Sequence, residues 1–468
     1  LFTGLGETKI LQKNGKKGCK FLVIINIIIN LQPNSHNMIK VEKSTPTINP
    51  FGGINFVIDQ INRSGINDLI DNQLGRRPAQ AEYSYSDLLK NLWSVFFCGG
   101  DCAEDLNEHL EPFLSRSPHE KIADADTVLR VLKSLKTEKE TVISATGNPY
   151  EINKNDRLNQ LNISILMLLK LLNEHQYYDF DYDNEVLKTE KFDAQNTYKH
   201  CKGYFPGMAT INGMPVYFEN RDGNMHVKTN QEEVLERCYN MLETNEVKIN
   251  RSRMDAGSYS KKIVDVVARH SRLFYIRANR CEALTNRLIE HKSWKKEEIN
   301  HIEYEVCSID YQSFSSEKEQ EAANYRLVVM RCKKGDDQLD LFTRDNMKYR
   351  SILTNDYESS EKEIIEYYNQ RGTEEQTIDV LNNDFGWKNM PFSFMEENTV
   401  FLTVMMMCKN IYTWLIAIFS EKFTDLKKTF RLKKFIFRFI TVPAKWIKRG
   451  GQMILKVFSS KPYEVLQI

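Results

Sequence analysis

The hydrophobic period of this chain changes at residue 177, and no other feature constrains the fold as much. Before that point apolar residues recur at spacings of three and four, as in Asp87-Leu-Leu-Lys-Asn-Leu-Trp-Ser-Val-Phe-Phe97. That spacing marks helices with one buried face. After it, Tyr177–Leu187, Tyr204–Ile211, Met214–Glu219, Val247–Arg253 and Arg272–Arg277 read as strands. Asn212-Gly213 lies between two apolar runs as a hairpin turn, and Asp222-Gly223 is a second turn dipeptide. Helical patterns return at Gln231–Leu242 and Ser258–His270. The order predicts an α/β sheet with mixed strand directions, preceded by helices.

The rest of the chain follows the same logic. Residues 38–172 are expected to form a helical N-terminal domain, a pattern that fits a DNA-binding domain and also many other all-α domains; Ala103–Leu114, Asp126–Leu135 (Asp126 as N-cap) and Leu161–Leu172 supply further helices. Residues 173–281 and 358–420 would be two parts of one α/β core. A β-rich insertion at 282–357, with strands at Ile302–Tyr311, Tyr325–Cys332 and Arg350–Thr354, separates them. Val400–Phe419 is apolar enough to raise the question of a membrane, but Lys409 and Asn410 stand at its centre, so a core helix is expected. The apolar run at 21–31 is too short to span a bilayer. The first Met is Met38, and residues 1–37 are read as an upstream-translated or non-native extension.

Charge points to a polyanion. The formal net charge of +1 conceals a segment, 421–468, with twelve Lys/Arg and three Asp/Glu. Phe430, Phe435, Phe437, Phe439 and Trp446 interleave with those cations, a pattern that suits nucleic acid first, and also an anionic membrane surface or a partner helix, although a solvated basic tail has the same composition. Residues 251–296 hold twelve Lys/Arg against four Asp/Glu, with Trp294 beside Lys295 and Lys296 as a stacking candidate or as a half-buried core residue. The nine cysteines are scattered and odd in number, which predicts a reducing, cytoplasmic compartment. Cys98-x3-Cys102 lacks the fourth ligand of a structural zinc site.

The chemistry is expected in carboxylates. Asp179, Asp181 and Asp183 alternate with Phe180 and Tyr182, so a strand turns all three to one face. Clustered like charges call for a divalent cation, or for solvent. Asp255 ends the next strand and is followed by Ala256-Gly257, a cleft position or simple turn chemistry. On a single helix over 361–381, Tyr368, Arg371 and Glu375 would fall within roughly 60° of one another, while Glu374 would leave that stripe.

These segments together resemble a bacterial DDE transposase of an insertion sequence, of the insertion-sequence thirteen-eighty group. Asp181-Tyr182-Asp183-Asn184-Glu185-Val186-Leu187 resembles that group's first-Asp strand. Gly203-Tyr204-Phe205-Pro206-Gly207 and Arg221-Asp222-Gly223-Asn224 resemble its next two turns. Arg253-Met254-Asp255-Ala256-Gly257-Ser258-Tyr259-Ser260 resembles the second-Asp segment, and Tyr368-x2-Arg371-x3-Glu375 the signature carrying the third acid. Cys98-Gly99-Gly100-Asp101-Cys102 resembles a motif near the end of the helical region. The chain departs from the pattern at Asn382, where the signature has Lys, and at Glu185, where it has Thr.

The resemblance implies a ribonuclease-H-like catalytic core with Asp183, Asp255 and Glu375 as catalytic residues and ligands of two Mg²⁺ or Mn²⁺ ions, Asp181 standing in reserve. It implies an enzyme that cuts the terminal inverted repeats of its own element and joins the 3′ ends to target DNA by two-metal phosphoryl transfer. The alternative is a catalytically inactive DNA-binding remnant. Tyr368, Arg371, Arg253, Lys295, Lys296 and Trp294 would contact DNA. The partners would be double-stranded DNA and a second copy of the chain, with no membrane.

Overall fold

The computed structural model describes residues 48–118, 120–279, 281–312, 314, 324–333 and 346–466, with the backbone but not the side chains of 282–283 and 373–375. The expected extension at 1–37 lies outside the described residues.

Among the described residues the chain opens with helices α1 (Ile54–Arg63), α2 (Ile66–Leu74), α3 (Tyr85–Phe97) and, after a short helical stretch over 106–114, α4 (Ala125–Ser134). Ser84 and Asp87 form a reciprocal capping box at the start of α3. The cap of α4 is Asp124 rather than Asp126, because the Asp124 carboxylate accepts from Thr127 N at 2.8 Å. The helical reading of 38–172 fails at β1 (Glu140–Ile143) and β2 (Pro149–Lys154), which pair with each other and join the main sheet. Helix α5 (Asp156–Leu168) follows, capped by Asn155.

The remaining strands of the main sheet are β3 (Tyr177–Asn184), β4 (Gly207–Ile211), β5 (Met214–Arg221), β6 (Lys248–Met254), β7 (Ser271–Arg277), β8 (Lys295–Ile299), β9 (Ile302–Gln312), β10 (Asn324–Lys333) and β11 (Met347–Thr354). Among the described residues they form an eleven-stranded sheet in the order β1-β2-β5-β4-β3-β6-β7-β11-β10-β9-β8. The contacts β3–β6 and β6–β7 are parallel, and the others are antiparallel. Helices α6 (Gln231–Thr244) and α7 (Lys261–His270) make the two parallel crossovers. The β-rich segment, with its helix α8 (Glu282–Glu290), thus extends the same sheet from β7 outward.

The β4–β5 turn is a tight one, with Asn212 at φ 52° and Gly213 at φ 72°. It lies against α11 (Met395–Lys422), a helix long and apolar enough to cross a membrane but mostly buried inside the protein. Lys409 Nζ donates to Gly213 O, and Asn410 donates to Pro215 O (2.8 Å) and Asn162 Oδ1 (2.9 Å). The two polar residues at the centre of the apolar run therefore anchor a hairpin turn.

Apolar side chains of α1–α5, α11 and the C-terminal segment share one core, and the sheet with α6 and α7 buries another. The basic C-terminal segment is folded. Phe435 and Phe439 stack at 5.1 Å in the first core, and Asn49 bridges to Ala444. Two strands close it, β12 (Ala444–Arg449) and β13 (Gln452–Val457).

Candidate active site

Parallel pairing of β3 with β6 places Asp181 opposite Arg253 and Tyr182 opposite Met254. Paired residues on neighbouring strands face the same side, so β3 and β6 build a ladder of charged rungs. In the first rung Arg251 donates to Asp179 through Nε (2.9 Å) and Nη2 (2.5 Å). In the second, Arg253 makes the same two-pronged contact with Asp181, both bonds at 2.7 Å. The aromatic face of Tyr367 covers both guanidinium groups, 3.9 Å from Arg251 and 4.5 Å from Arg253, and its carbonyl accepts from Arg253 Nη1.

The third rung breaks the pattern. Asp183 is next along β3, and the residue after Met254 is Asp255, so two carboxylates stand where the previous rungs pair opposite charges. Asp183 is mostly buried. Its Oδ1 accepts from Asn184 N (2.9 Å), and its Oδ2 accepts from Arg371 Nη1 at 3.0 Å. Burial pushes the Asp183 carboxyl up to about 6, against the pull of Arg371 and with the push of Asp255. Asp255 caps a short 3₁₀ turn (Ala256–Ser258), its Oδ1 accepting from Gly257 N at 2.9 Å. A Cβ at position 257 would sit 2.9 Å from that oxygen, so glycine is what lets the backbone close on the carboxylate.

The expected single helix over 361–381 is two helices. α9 (Glu361–Asn369) ends at Gln370, and α10 (Gly372–Asp384) starts after Arg371. The amides of Gln370 and Arg371 bond to Tyr367 O and Tyr368 O, three residues back, which tightens the junction and re-aims the face. Helix α10 then runs beside β3. The contrast between Glu375 and Glu374 concerns side chains outside the described residues; the backbone puts both in the first turn of α10.

Tyr368 turns inward. It is buried, its hydroxyl donates to Met254 O at 3.1 Å, and burial pushes it up to about 12. Arg253 is buried against Asp181, so neither faces DNA in this arrangement. Both oxygens of the reserve acid Asp181 are taken by that fork. Trp294 donates from Nε1 to His291 O, and its ring lies 3.9 Å from the Arg331 guanidinium. Lys295 and Lys296 are exposed on the edge strand β8, 3.4 Å from Glu361 and 3.0 Å from Glu303.

Sequence reasoning missed Tyr367, Arg251 and Arg277. The last ends β7, where Ile276 pairs with Met254, so it continues the Asp183–Asp255 row. A signal for the ladder was present: Arg251, Arg253 and Asp255 alternate along β6 as Asp179, Asp181 and Asp183 do along β3. Among the described residues two groups of donors elsewhere have metal-ligand spacing, Asp101 with Cys102 and Asp105, and Glu174 with His175 and Glu246. Neither includes a residue of the ladder.

A family model described as transposase DDE domain group 1 matches residues 31–467. No curated protein matches the chain. Among solved structures, a piggyBac transposase in a synaptic complex with hairpin DNA is similar at 11% identity, over 84% of this chain and 85% of that one, with a TM-score of 0.38.

Proposed function

The chain belongs to the transposase DDE domain group 1 family, and from that premise we propose that it is a DNA transposase of the insertion-sequence thirteen-eighty group, cutting and joining the ends of its own element. The observation that carries this reading is the third rung, where Asp183 and Asp255 meet at the ends of two parallel strands with α10 alongside. The strand order β5-β4-β3-β6-β7, three antiparallel strands followed by two parallel ones, supports a ribonuclease-H-like core.

The donor set fits hard divalent cations. Two adjacent carboxylates, one with its proton affinity raised by burial and by the other, are a poor pair alone and a good pair around Mg²⁺ or Mn²⁺. Asp183, Asp255 and Glu375 would hold two such ions. When bound, the ions supply an activated water or 3′-hydroxyl and stabilise the leaving oxygen of an in-line displacement at phosphorus.

The protein's own residues prepare that site. The two compensated rungs and the ring of Tyr367 form a rigid platform behind it. Tyr368 pins the carbonyl of Met254 and so fixes the strand end from which Asp255 projects. Gly257 N holds one oxygen of Asp255, which orients the other. Arg371 keeps Asp183 charged and stands where a scissile-strand phosphate would approach. Lys295 and Lys296, exposed on β8, remain DNA contacts in this proposal; Trp294, Tyr368 and Arg253 leave it, because their side chains are engaged within the protein. The expected partners are duplex DNA bearing the element's inverted repeats and a second copy of the chain in the DNA complex.

The test is metal-dependent nicking of DNA carrying the inverted repeats that flank the coding region. Nicking at the repeat ends, dependent on Mg²⁺ or Mn²⁺, is the expected result. Tight binding to those ends with no nicking in either metal would replace the reading with that of a binding remnant.

A further inference from the structure

The catalytic reading leaves the C-terminal hairpin unused. Residues 426–463 contain eleven Lys/Arg and no Asp/Glu. Some of these cations find partners elsewhere in the chain: Lys428 with Glu421, Arg431 with Asp379 and Asp384, Lys461 with Asp425. The four on the β12–β13 hairpin, Lys445, Lys448, Arg449 and Lys456, meet no carboxylate among the described residues; the Lys445 ammonium lies 5.9 Å from the ring of Phe458.

The register sorts the hairpin into two faces. Ala444 opposite Val457 and Trp446 opposite Leu455 form the inner one. Ala444 is buried, Leu455 and Val457 pack on the core, and Trp446 Nε1 donates to Asn55 at 3.1 Å. The outer face carries Lys445 opposite Lys456, then Ile447 opposite Ile454, then Arg449 opposite Gln452. Two ammonium groups directly across a strand pair repel, and no acid nearby relieves them. Between the two cationic rungs Ile454 is left 37% exposed. The tip is Gly450-Gly451, both at positive φ (59° and 82°), a turn without side chains to hold off another surface.

We infer that the outer face of this hairpin is a duplex-DNA contact arm, built on different strands from Asp183 and Asp255. A two-stranded ribbon is narrow enough to enter the major groove, about 12 Å wide. Lys445 and Lys456 at one end and Arg449 at the other contact phosphates, while Ile447 and Ile454 lie against sugars and base edges between them. The choice of DNA over another polyanion rests on the transposase reading.

The probe is a random 30-base-pair duplex, bound to the full chain and followed by fluorescence anisotropy across a salt series without divalent metal. The triple variant Lys445→Ala/Arg449→Ala/Lys456→Ala is expected to weaken binding at least tenfold near 0.1 M salt and to flatten the log–log salt slope by roughly 2–3. Arg449→Ala alone, at the exposed tip, is expected to flatten it by about one, so a misfolded triple variant does not remove the test. Hairpin variants with unaltered affinity and slope would overturn the arm even where nicking is normal; a duplex-binding loss in the triple variant of a protein that never nicks would keep the arm and sink the catalytic reading. Equal losses on a 30-nucleotide single strand would overturn groove binding. So would hairpin-dependent binding to vesicles containing about 30% phosphatidylserine with DNA binding untouched.

Discussion

The first two rungs of the β3–β6 ladder and the third use the same backbone and opposite electrostatics. Asp179–Arg251 and Asp181–Arg253 are closed ion pairs, the second almost fully buried and both roofed by Tyr367. Asp183 and Asp255 repeat the geometry with like charges and draw one guanidinium, Arg371, from another element. A buried pair that is complete has no use for an external ligand. A rung that repels itself stores a demand for cations, and this is where chemistry on phosphate belongs. In the proposed function the contrast separates acids that hold the fold from acids that would serve the reaction.

The largest effect expected from breaking that contrast is catalytic. Asp255→Asn keeps the size of the side chain and can still accept from Gly257 N, but it removes a charge from the third rung. Cleavage and strand transfer should fall by about three orders of magnitude or more, a barrier increase of roughly 4 kcal/mol or above. Affinity for the element's ends, measured in Ca²⁺ or without metal, should hardly change. Normal cutting by the variant would erase the distinction between the rungs.

The next effect is on stability and belongs to the second rung. Asp181→Asn leaves the Arg253 guanidinium buried without its counter-charge, and a loss of about 3–5 kcal/mol is expected in chemical denaturation. The more open first rung should be far more tolerant: Asp179→Asn is expected to cost about 1 kcal/mol or less. Equal costs at the two would show that burial does not grade the ladder.

The same substitution one rung further should have the opposite sign: burial raises both carboxyls, but Asp181 is held by the complete Arg253 fork, whereas Asp183 has a single bond to Arg371 and is pushed by Asp255. The folded-state carboxyl of Asp183, near 6, lies above the ordinary carboxylate value of about 3.9. Its contribution to stability is therefore fully present below about pH 4 and is lost as pH rises through 6. Asp183→Asn removes that loss, so the metal-free variant should be more stable than the parent above pH 6, by on the order of 1–2 kcal/mol, and similar to it near pH 4. Millimolar Mg²⁺ should raise the Tm of the parent and not of the variant. A variant less stable than its parent at pH 7 would make Asp183 a structural acid like Asp181.

How much of this was legible in the sequence differs between the two kinds of rung. The period-two alternation of Asp179, Asp181 and Asp183 was readable, and so were the strands that became β3 to β7, as short strand-forming runs between turn signals, with β4 and β5 buried along their whole length. The closure of two rungs by Arg251 and Arg253 was hidden, because pairing depends on the register between strands 72 residues apart. The hairpin β1–β2 was missed for a related reason: Glu140–Ile143 is largely exposed at the sheet edge, so its strand has no apolar face to announce it. The break between α9 and α10 escaped notice because Gln370, Arg371 and Gly372 interrupt the helix without a proline. Trp446 and Phe439 looked like part of a free basic tail, since their partners Asn55 and Phe56 on α1 lie far away in sequence.

The smallest effect expected concerns Arg371, which touches the reactive rung without belonging to the ladder. Its Nη1 donates to Asp183, a contact that keeps the carboxylate charged against burial. If that is its whole task, Arg371→Ala raises the Asp183 carboxyl further above 6, shifts Mg²⁺ binding to higher pH, and leaves the affinity for pre-cut DNA ends alone. If the guanidinium also meets a phosphate beside the scissile bond, binding to those ends weakens a few-fold, on the order of 1 kcal/mol, and the salt slope falls by about one. The second outcome is expected, because a guanidinium fork beside two carboxylates gains a phosphate partner once cations neutralise them. Arg371→Lys separates the two further: it keeps the charge that opposes protonation of Asp183 but loses the fork, so the pH dependence of metal binding should recover and the affinity for ends should not. Full recovery of both by lysine would reduce Arg371 to a counter-charge and leave DNA recognition to other residues.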